Sequence, residues 1–197
     1  MGRILCECCK KYLLNKHVRK CLKCDEFLDV DYCPTCATLP CSQFWIGERK
    51  DDLKDLINLY KYKSVRACGD VLAEMMAECI DLDNAVIVPL PTISKHIRDR
   101  GFDHTSLLAR KIAKIKGWKC ESVLLRVNNT VQVGSSAEKR QRQAREAYMV
   151  RGSLNAEKLY LLLDDVWTSG SSMMAAYEKI FQAGARKIAI AVLAKSG

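Results

Sequence analysis

The sequence predicts an α/β protein: a mostly parallel sheet with helices on both faces, plus a small N-terminal cysteine-rich ribbon. Three observations predict it. Short apolar runs alternate with segments whose apolar residues recur at helical spacing, an order that builds parallel sheets covered on both sides. The run Tyr160-Leu161-Leu162-Leu163-Asp164-Asp165-Val166-Trp167-Thr168-Ser169-Gly170-Ser171-Ser172 passes from strand to loop to helix in thirteen residues. Eight of the eleven cysteines crowd between Cys6 and Cys41, outside the alternating pattern. These features divide the chain into a Cys-rich segment, 1–42, and an α/β domain, 43–197.

The length, 197 residues, suits one full domain and a small appendage. No stretch approaches the ~18 consecutive apolar residues of a membrane span, and the first residues lack the apolar core of a secretory signal. The expectation is a cytoplasmic protein with no membrane insertion and with reduced thiols. The formal net charge of +9 favours anionic partners without separating nucleic acid from a phosphorylated small molecule.

In the ribbon, three pairs have C-x-x-C spacing: Cys6/Cys9, Cys21/Cys24 and Cys33/Cys36. Each closes a tight turn that presents two sulfurs to one metal, and two such turns make a tetrahedral structural zinc site. A segment this short builds little core, so a metal would supply its folding energy. The first ligand set is Cys6, Cys9, Cys21 and Cys24. Cys33 and Cys36 are the alternative, replacing either pair or holding a second metal with Cys41. Residues 10–23 contain Lys10, Lys11, Lys16, Arg19, Lys20 and Lys23 and no acid, a composition that suits either a phosphate backbone or an ordinary solvated surface.

Ser42 to Gly47 reads as a linker or short strand. Asp51 to Tyr62 carries Leu53, Leu56, Ile57 and Tyr60 at helical spacing, with Asp51 and Asp52 favouring its start. Gly69 to Leu82 repeats the pattern, with Met75 and Met76 as core rather than binding surface. Ala85 to Val88 is a strand stopped by Pro89-Leu90-Pro91. Leu107 to Ile115 is a helix closed by Gly117. Short strands follow at Ser122 to Leu125 and Tyr148 to Val150, and a longer one at Lys187 to Leu193. Cys68, Cys79 and Cys120 fall in apolar patterns as small core residues. Residues 126–146 are polar and turn-like, then highly charged. An irregular stretch of this length inside a compact domain is a functional loop or disorder, and a basic flap there would close over an anion and exclude water.

The thirteen-residue run carries the chemistry. Its loop lies at the carboxyl end of a strand, where open α/β sheets bind ligands. The following helix offers free N–H groups and a partial positive charge to a phosphate. Gly170 lets the backbone approach, and Thr168, Ser169, Ser171 and Ser172 add hydroxyl donors. Asp164 and Asp165 stand just before this cradle, ready to accept hydrogen bonds from sugar hydroxyls. One Asp would suffice to cap the helix; two acids with four hydroxyls and a glycine fit a ribose 5-phosphate.

The same run resembles the phosphoribosyl diphosphate (PRPP) signature of type I phosphoribosyltransferases at every position. Three further blocks are similar to the ComF family: the C-x-x-C pairs; Leu56-Ile57 with Tyr60-Lys61-Tyr62; and Val88-Pro89-Leu90-Pro91 with Arg98, Arg100-Gly101-Phe102-Asp103-His104 and Leu107-Leu108-Ala109. Gln132-Val133-Gly134, Ser136, Arg140 and Ala147-Tyr148 look like another family block. The sequence departs where the family usually has Asn at Asp103, often Gln at His104, and Phe at Tyr148. The resemblance implies the type I phosphoribosyltransferase fold, PRPP with Mg²⁺ as ligand, structural Zn²⁺, and a role in natural competence, the uptake of single-stranded DNA during transformation. It implies pentosyl transfer with Asp164 and Asp165 as catalytic acids, and diphosphate contacts from Thr92, Arg98 and Arg100 and from the flap residues Lys139, Arg140 and Arg142. The alternative is a non-catalytic module that senses PRPP or binds single-stranded nucleic acid, or one that docks a competence helicase.

Overall fold

In the computed structural model the described residues are 4–14, 21–26, 33, 42–63, 65–127 and 147–196. Five parallel strands form the main sheet in the order β1-β7-β6-β2-β3. They are β1 (Gln43–Glu48), β2 (Val86–Pro89), β3 (Lys119–Cys120), β6 (Leu159–Trp167) and β7 (Lys187–Lys195). A separate antiparallel pair joins β4 (Leu124–Arg126) to β5 (Tyr148–Val150). The helices are α1 (Glu7–Leu14), α2 (Asp51–Tyr62), α3 (Arg66–Cys79), α4 (Ser94–Arg100), α5 (His104–Lys116) and α6 (Ser171–Gln182).

The expected α/β architecture, mostly parallel with helices on both faces, is observed. Side chains on a strand alternate between faces, and here the alternation sorts the core into two layers. Leu161 and Leu163 of β6, with Ala189, Ala191 and Leu193 of β7, pack against α2, α3 and α5. Tyr160 and Leu162, with Ile188, Ile190 and Val192, pack against α6 and the β4–β5 pair. The apolar runs are continuous because both faces of the central strands are buried.

Several elements differ from the sequence-based expectation. The strand holding the acids runs through them to Trp167, because its edge keeps pairing with β7: Asp164 lies opposite Val192 and Trp167 opposite Lys195. Residues 94–100 form α4, and Glu7–Leu14 forms a helix inside the Cys-rich segment. The α5 helix starts at His104, three residues before its apolar pattern does, because the Asp103 carboxylate accepts the Ser106 N–H at 3.1 Å as an N-cap. Met75, Met76 and Cys68 are fully buried. Burial pushes the Cys79 thiol up to about 12, which leaves it inert.

The strand order reverses direction between two neighbouring strands. From β2 the chain crosses through α4 and α5 to β3 on one side, whereas β6 lies on the other side and leads through α6 to β7. The connections diverge between β2 and β6, which makes the carboxyl ends of these two strands a topological switch point. The last register pair there is Pro89 with Leu163, so Asp164 and Asp165 stand just beyond the end of β2.

Candidate phosphate and sugar site

The loop between β6 and α6 is shaped by Gly170. Its φ is +73°, in the left-handed region, and a Cβ there would lie 2.2 Å from the Trp167 ring, itself buried. Only glycine combines that backbone with that contact. Gly170 is the N-cap residue of α6 and has no side chain with which to cap it; the Ser171 N–H reaches the Ser169 hydroxyl at 3.4 Å. The remaining N–H groups of the first turn lie beyond the intrahelical ladder and face the loop. Thr168, Ser169 and Ser172 are exposed and Ser171 is half-buried. Ser169 and Ser171 share a hydroxyl hydrogen bond of 2.9 Å. The five loop residues singled out by sequence are thus gathered around one helix start.

The two acids have opposite surroundings. Asp165 projects towards α2 and α5. Its Oδ2 accepts from the Lys61 ammonium at 2.5 Å and from His104 Nε2. The other ring nitrogen of His104, Nδ1, lies 3.0 Å from the Arg100 guanidinium. A guanidinium only donates, so Nδ1 accepts and Nε2 carries the proton that faces Asp165. Burial alone would raise the Asp165 carboxyl; the His104 hydrogen bond and the Lys61 charge outweigh it and hold the carboxyl below its ordinary range. Asp164 projects the other way and is half-buried; its Oδ1 accepts the Asp165 N–H at 2.8 Å. Burial, then the neighbouring Asp165 charge, pushes its carboxyl up to about 7.

This raised value has a measurable consequence. The unfolded chain loses the Asp164 proton near 3.8 and the folded protein near 7. The native state thus holds more protons between these values, and stability falls as pH rises through that window. Asp164→Asn should flatten the slope and stabilise the protein by about 1–2 kcal/mol at pH 8, a figure reduced for partial exposure. Denaturant midpoints at pH 5 and pH 8 for both proteins measure it.

Of the expected diphosphate contacts, Thr92 donates to Asp103 Oδ1 at 3.0 Å, which ties the loop after β2 to the cap of α5. Arg98 is exposed on α4. Arg100 is turned to His104 and stacks over Tyr62 at 5.0 Å. Lys139, Arg140 and Arg142 lie outside the described residues. The chain on either side of residues 128–146 is tied together, with the Val127 N–H donating to the Ala147 carbonyl at 2.9 Å. Tyr148, just past that closure, receives the Arg126 guanidinium at 3.1 Å.

Lys61, Arg126 and Tyr148 were not singled out as site residues from the sequence. A signal for Lys61 was present: it stands four residues after Ile57, on the apolar face of α2, and a charge at such a position needs a buried partner. No comparable local signal marks Arg126, whose role depends on the β4–β5 pairing.

The cysteine ligands group differently from the first expected set. The thiols of Cys21, Cys24 and Cys33 all lie within 4.8 Å of one another. A tetrahedral zinc site with Zn–S near 2.3 Å spaces its sulfurs by about 3.8 Å, so this triad fits three of four positions. Cys6 and Cys9 are not in the group; their sulfurs are 3.4 Å apart from each other. The physical reason is the sheet. Leu13 of α1 packs in the layer with α2 and α3, whereas Cys21, Leu22 and Cys33 pack in the layer on the other face. Cys36, the alternative fourth ligand, lies outside the described residues. Cys21→Ser or Cys33→Ser should lower bound zinc at least tenfold in metal analysis of the purified chain, and Cys6→Ser should leave it unchanged.

The expected lysine-rich grip is altered too. Lys10 pairs with Glu74 of α3 and, at 3.5 Å, with Glu7. Lys16, Arg19 and Lys20 lie outside the described residues. Among the described residues no helix is long and apolar enough to cross a membrane.

No family model and no curated protein matches the sequence. Solved structures with some likeness include the allosteric regulatory enzyme of purine biosynthesis, 18% identical with a TM-score of 0.45, over 63% of this chain and 25% of that one. This chain thus spans about a quarter of that protein's length. Another is the purine phosphoribosyltransferase from Pyrococcus horikoshii, 16% identical with a TM-score of 0.38, over 78% of each chain. Both likenesses are shallow.

Proposed function

We propose that the protein is a ComF-like phosphoribosyltransferase-type domain that binds PRPP with Mg²⁺ and serves natural competence, with a zinc-bound ribbon over residues 1–42. The observation that carries the ligand is the Gly170 loop at the switch point: a helix start with a glycine N-cap, four hydroxyls and a carboxylate meet at the end of β6. In this reading the first turn of α6 and the hydroxyls of Thr168, Ser169, Ser171 and Ser172 hold the 5-phosphate. The acids Asp164 and Asp165 form the sugar end of the site. Arg100 and Arg98 stand on the helix after β2, on the side where the diphosphate would extend.

Mg²⁺ prefers oxygen donors and binds through substrate phosphates plus one or two carboxylates. The half-buried carboxylate of Asp164 fits that role, and the ion would neutralise charge on the diphosphate. In a transfer reaction the chain's own residues would orient the sugar, exclude water and stabilise the departing charge. The competence role and single-stranded DNA as a partner rest on the sequence resemblance and on the net charge of +9.

Calorimetric titration of PRPP with Mg²⁺ tests the ligand. Binding that requires Mg²⁺ and weakens at least a hundredfold in Asp164→Asn/Asp165→Asn supports the reading. No binding to folded, zinc-loaded protein would remove it and make nucleic acid the leading ligand.

A further inference from the structure

We propose that the amino-terminal end of the sheet carries a second ligand site, separate from the Gly170 loop and built for a nucleotide. Trp118 meets the base, and Lys119, Lys158 and Lys187 meet the phosphate. The site goes beyond the ribose-phosphate reading above and does not depend on it.

The strands of the main sheet are all parallel, so their first residues share one edge. β6 has nine residues, which puts about 26 Å between that edge and the Gly170 loop. A cavity of about 620 Å³ opens at the starts of β2, β3, β6 and β7. Small-molecule sites usually enclose about 300–1,000 Å³, so a nucleotide fits. The lining combines the apolar side chains of Val86 and Leu159 with Trp118, Lys119, Lys158 and Lys187. Gly117 ends α5 in the left-handed region, φ +70°, and turns the chain into β3; nothing lies within 4 Å of where its Cβ would be, so the space beside Trp118 is open.

Three ammonium groups meet a single carboxylate in this lining, that of Glu157. Glu157 pairs with Lys187 at 3.3 Å, and both side chains are mostly exposed, so a phosphate can take Lys187 over at little cost. The ammonium groups of Lys119 and Lys158 have no hydrogen bond and no ion pair among the described residues. Asp83 and Glu121, the next acids along the chain, do not line the cavity. The Trp118 ring is half-buried and held at its edge, where its N–H donates to the Asp83 carbonyl at 3.3 Å, and the Lys116 ammonium lies 4.9 Å from its centre. Its remaining surface lines the cavity, where a base can stack. From β3 to β7 is three strand spacings, about 14 Å, with Trp118 at one end and Lys187 at the other. That separation suits a ring joined to a phosphate through a sugar and is too long for a lone phosphate ion.

The test titrates adenosine monophosphate into the full zinc-loaded chain, with ribose 5-phosphate as the probe that lacks the base. Wild-type protein should bind the nucleotide saturably below about 1 mM, and an excess of ribose 5-phosphate should not displace it. Trp45 and Trp167 are buried, so the quenched emission should come from Trp118 and be missing in Trp118→Phe. Lys119→Glu and Lys158→Glu should each weaken the nucleotide about tenfold with unchanged thermal midpoints. Trp118→Leu should weaken it at least about fivefold, and Glu157→Gln should tighten it about twofold. Trp118 packs partly against the core; if Trp118→Leu fails to fold, the two lysine variants, at exposed positions, decide. Displacement by ribose 5-phosphate would put the nucleotide at the Gly170 loop and overturn the site. No binding by about 1 mM, or unchanged affinity in the lysine variants or in folded Trp118→Leu, would overturn it as well. Failure of ribose 5-phosphate to bind would count against the ribose-phosphate reading alone, because the nucleotide site is decided by the adenosine monophosphate titrations.

Discussion

Lys61→Met should cost about 3–5 kcal/mol of unfolding free energy, because breaking a buried ion pair leaves its partner charged and unsatisfied. Methionine keeps most of the lysine stem, so the loss isolates the ammonium from the packing. Asp165 would retain the His104 hydrogen bond but lose its ammonium partner, inside a layer lined by Tyr60, Phe102 and the α5 helix. Both side chains keep slight exposure, 11% and 12%, where some water relieves the strain, so the lower end of the range is expected. Replacing both residues, as in Lys61→Met/Asp165→Leu, should recover much of the loss, since an apolar pair of similar volume carries no desolvation penalty. Denaturant melts of the three proteins measure the coupling directly. A single-variant cost below about 1 kcal/mol would mean that the pair behaves as a surface salt bridge.

Gly170→Ala should destabilise the protein by about 2–4 kcal/mol and abolish anion binding at the loop. Two penalties combine. A left-handed backbone costs any L-residue with a Cβ roughly 1 kcal/mol. Overpacking adds about 1–3 kcal/mol, because the new methyl would meet the Trp167 ring at 2.2 Å. Trp167 has little room to give: it is buried between β6 and α6, and its carbonyl accepts the Ser196 N–H at 2.7 Å. Either the indole moves or the loop opens, and both displace the N–H groups of the first α6 turn. The melt reports the first effect and PRPP titration the second. A variant that melts as wild type while still binding would show that the loop is plastic and the glycine incidental.

The elements legible in the sequence were those with a local physical cause. The α2 and α3 helices follow from apolar spacing, and α5 ends where Gly117 allows it. The Gly170 loop was visible because its constraint is steric and local. The short strand β3 and the helix α4 were not visible. At two residues, β3 exists only because β2 lies beside it, and α4 buries no residue that would have marked an apolar stripe.

The sequence by itself determined the alternation of strands and helices, the phosphate-type loop with its hydroxyls, and three cysteine pairs able to hold a metal. Each is written in contiguous residues, so spacing alone carries it. The tertiary structure decided which cysteines meet, because the sheet separates Cys6 and Cys9 from Cys21, Cys24 and Cys33. It also decided that Asp164 and Asp165 differ. Two identical neighbours in the chain have different surroundings, Asp165 buried and ion-paired and Asp164 half-buried, because strand geometry sends them to opposite faces and only one face holds Lys61 and His104.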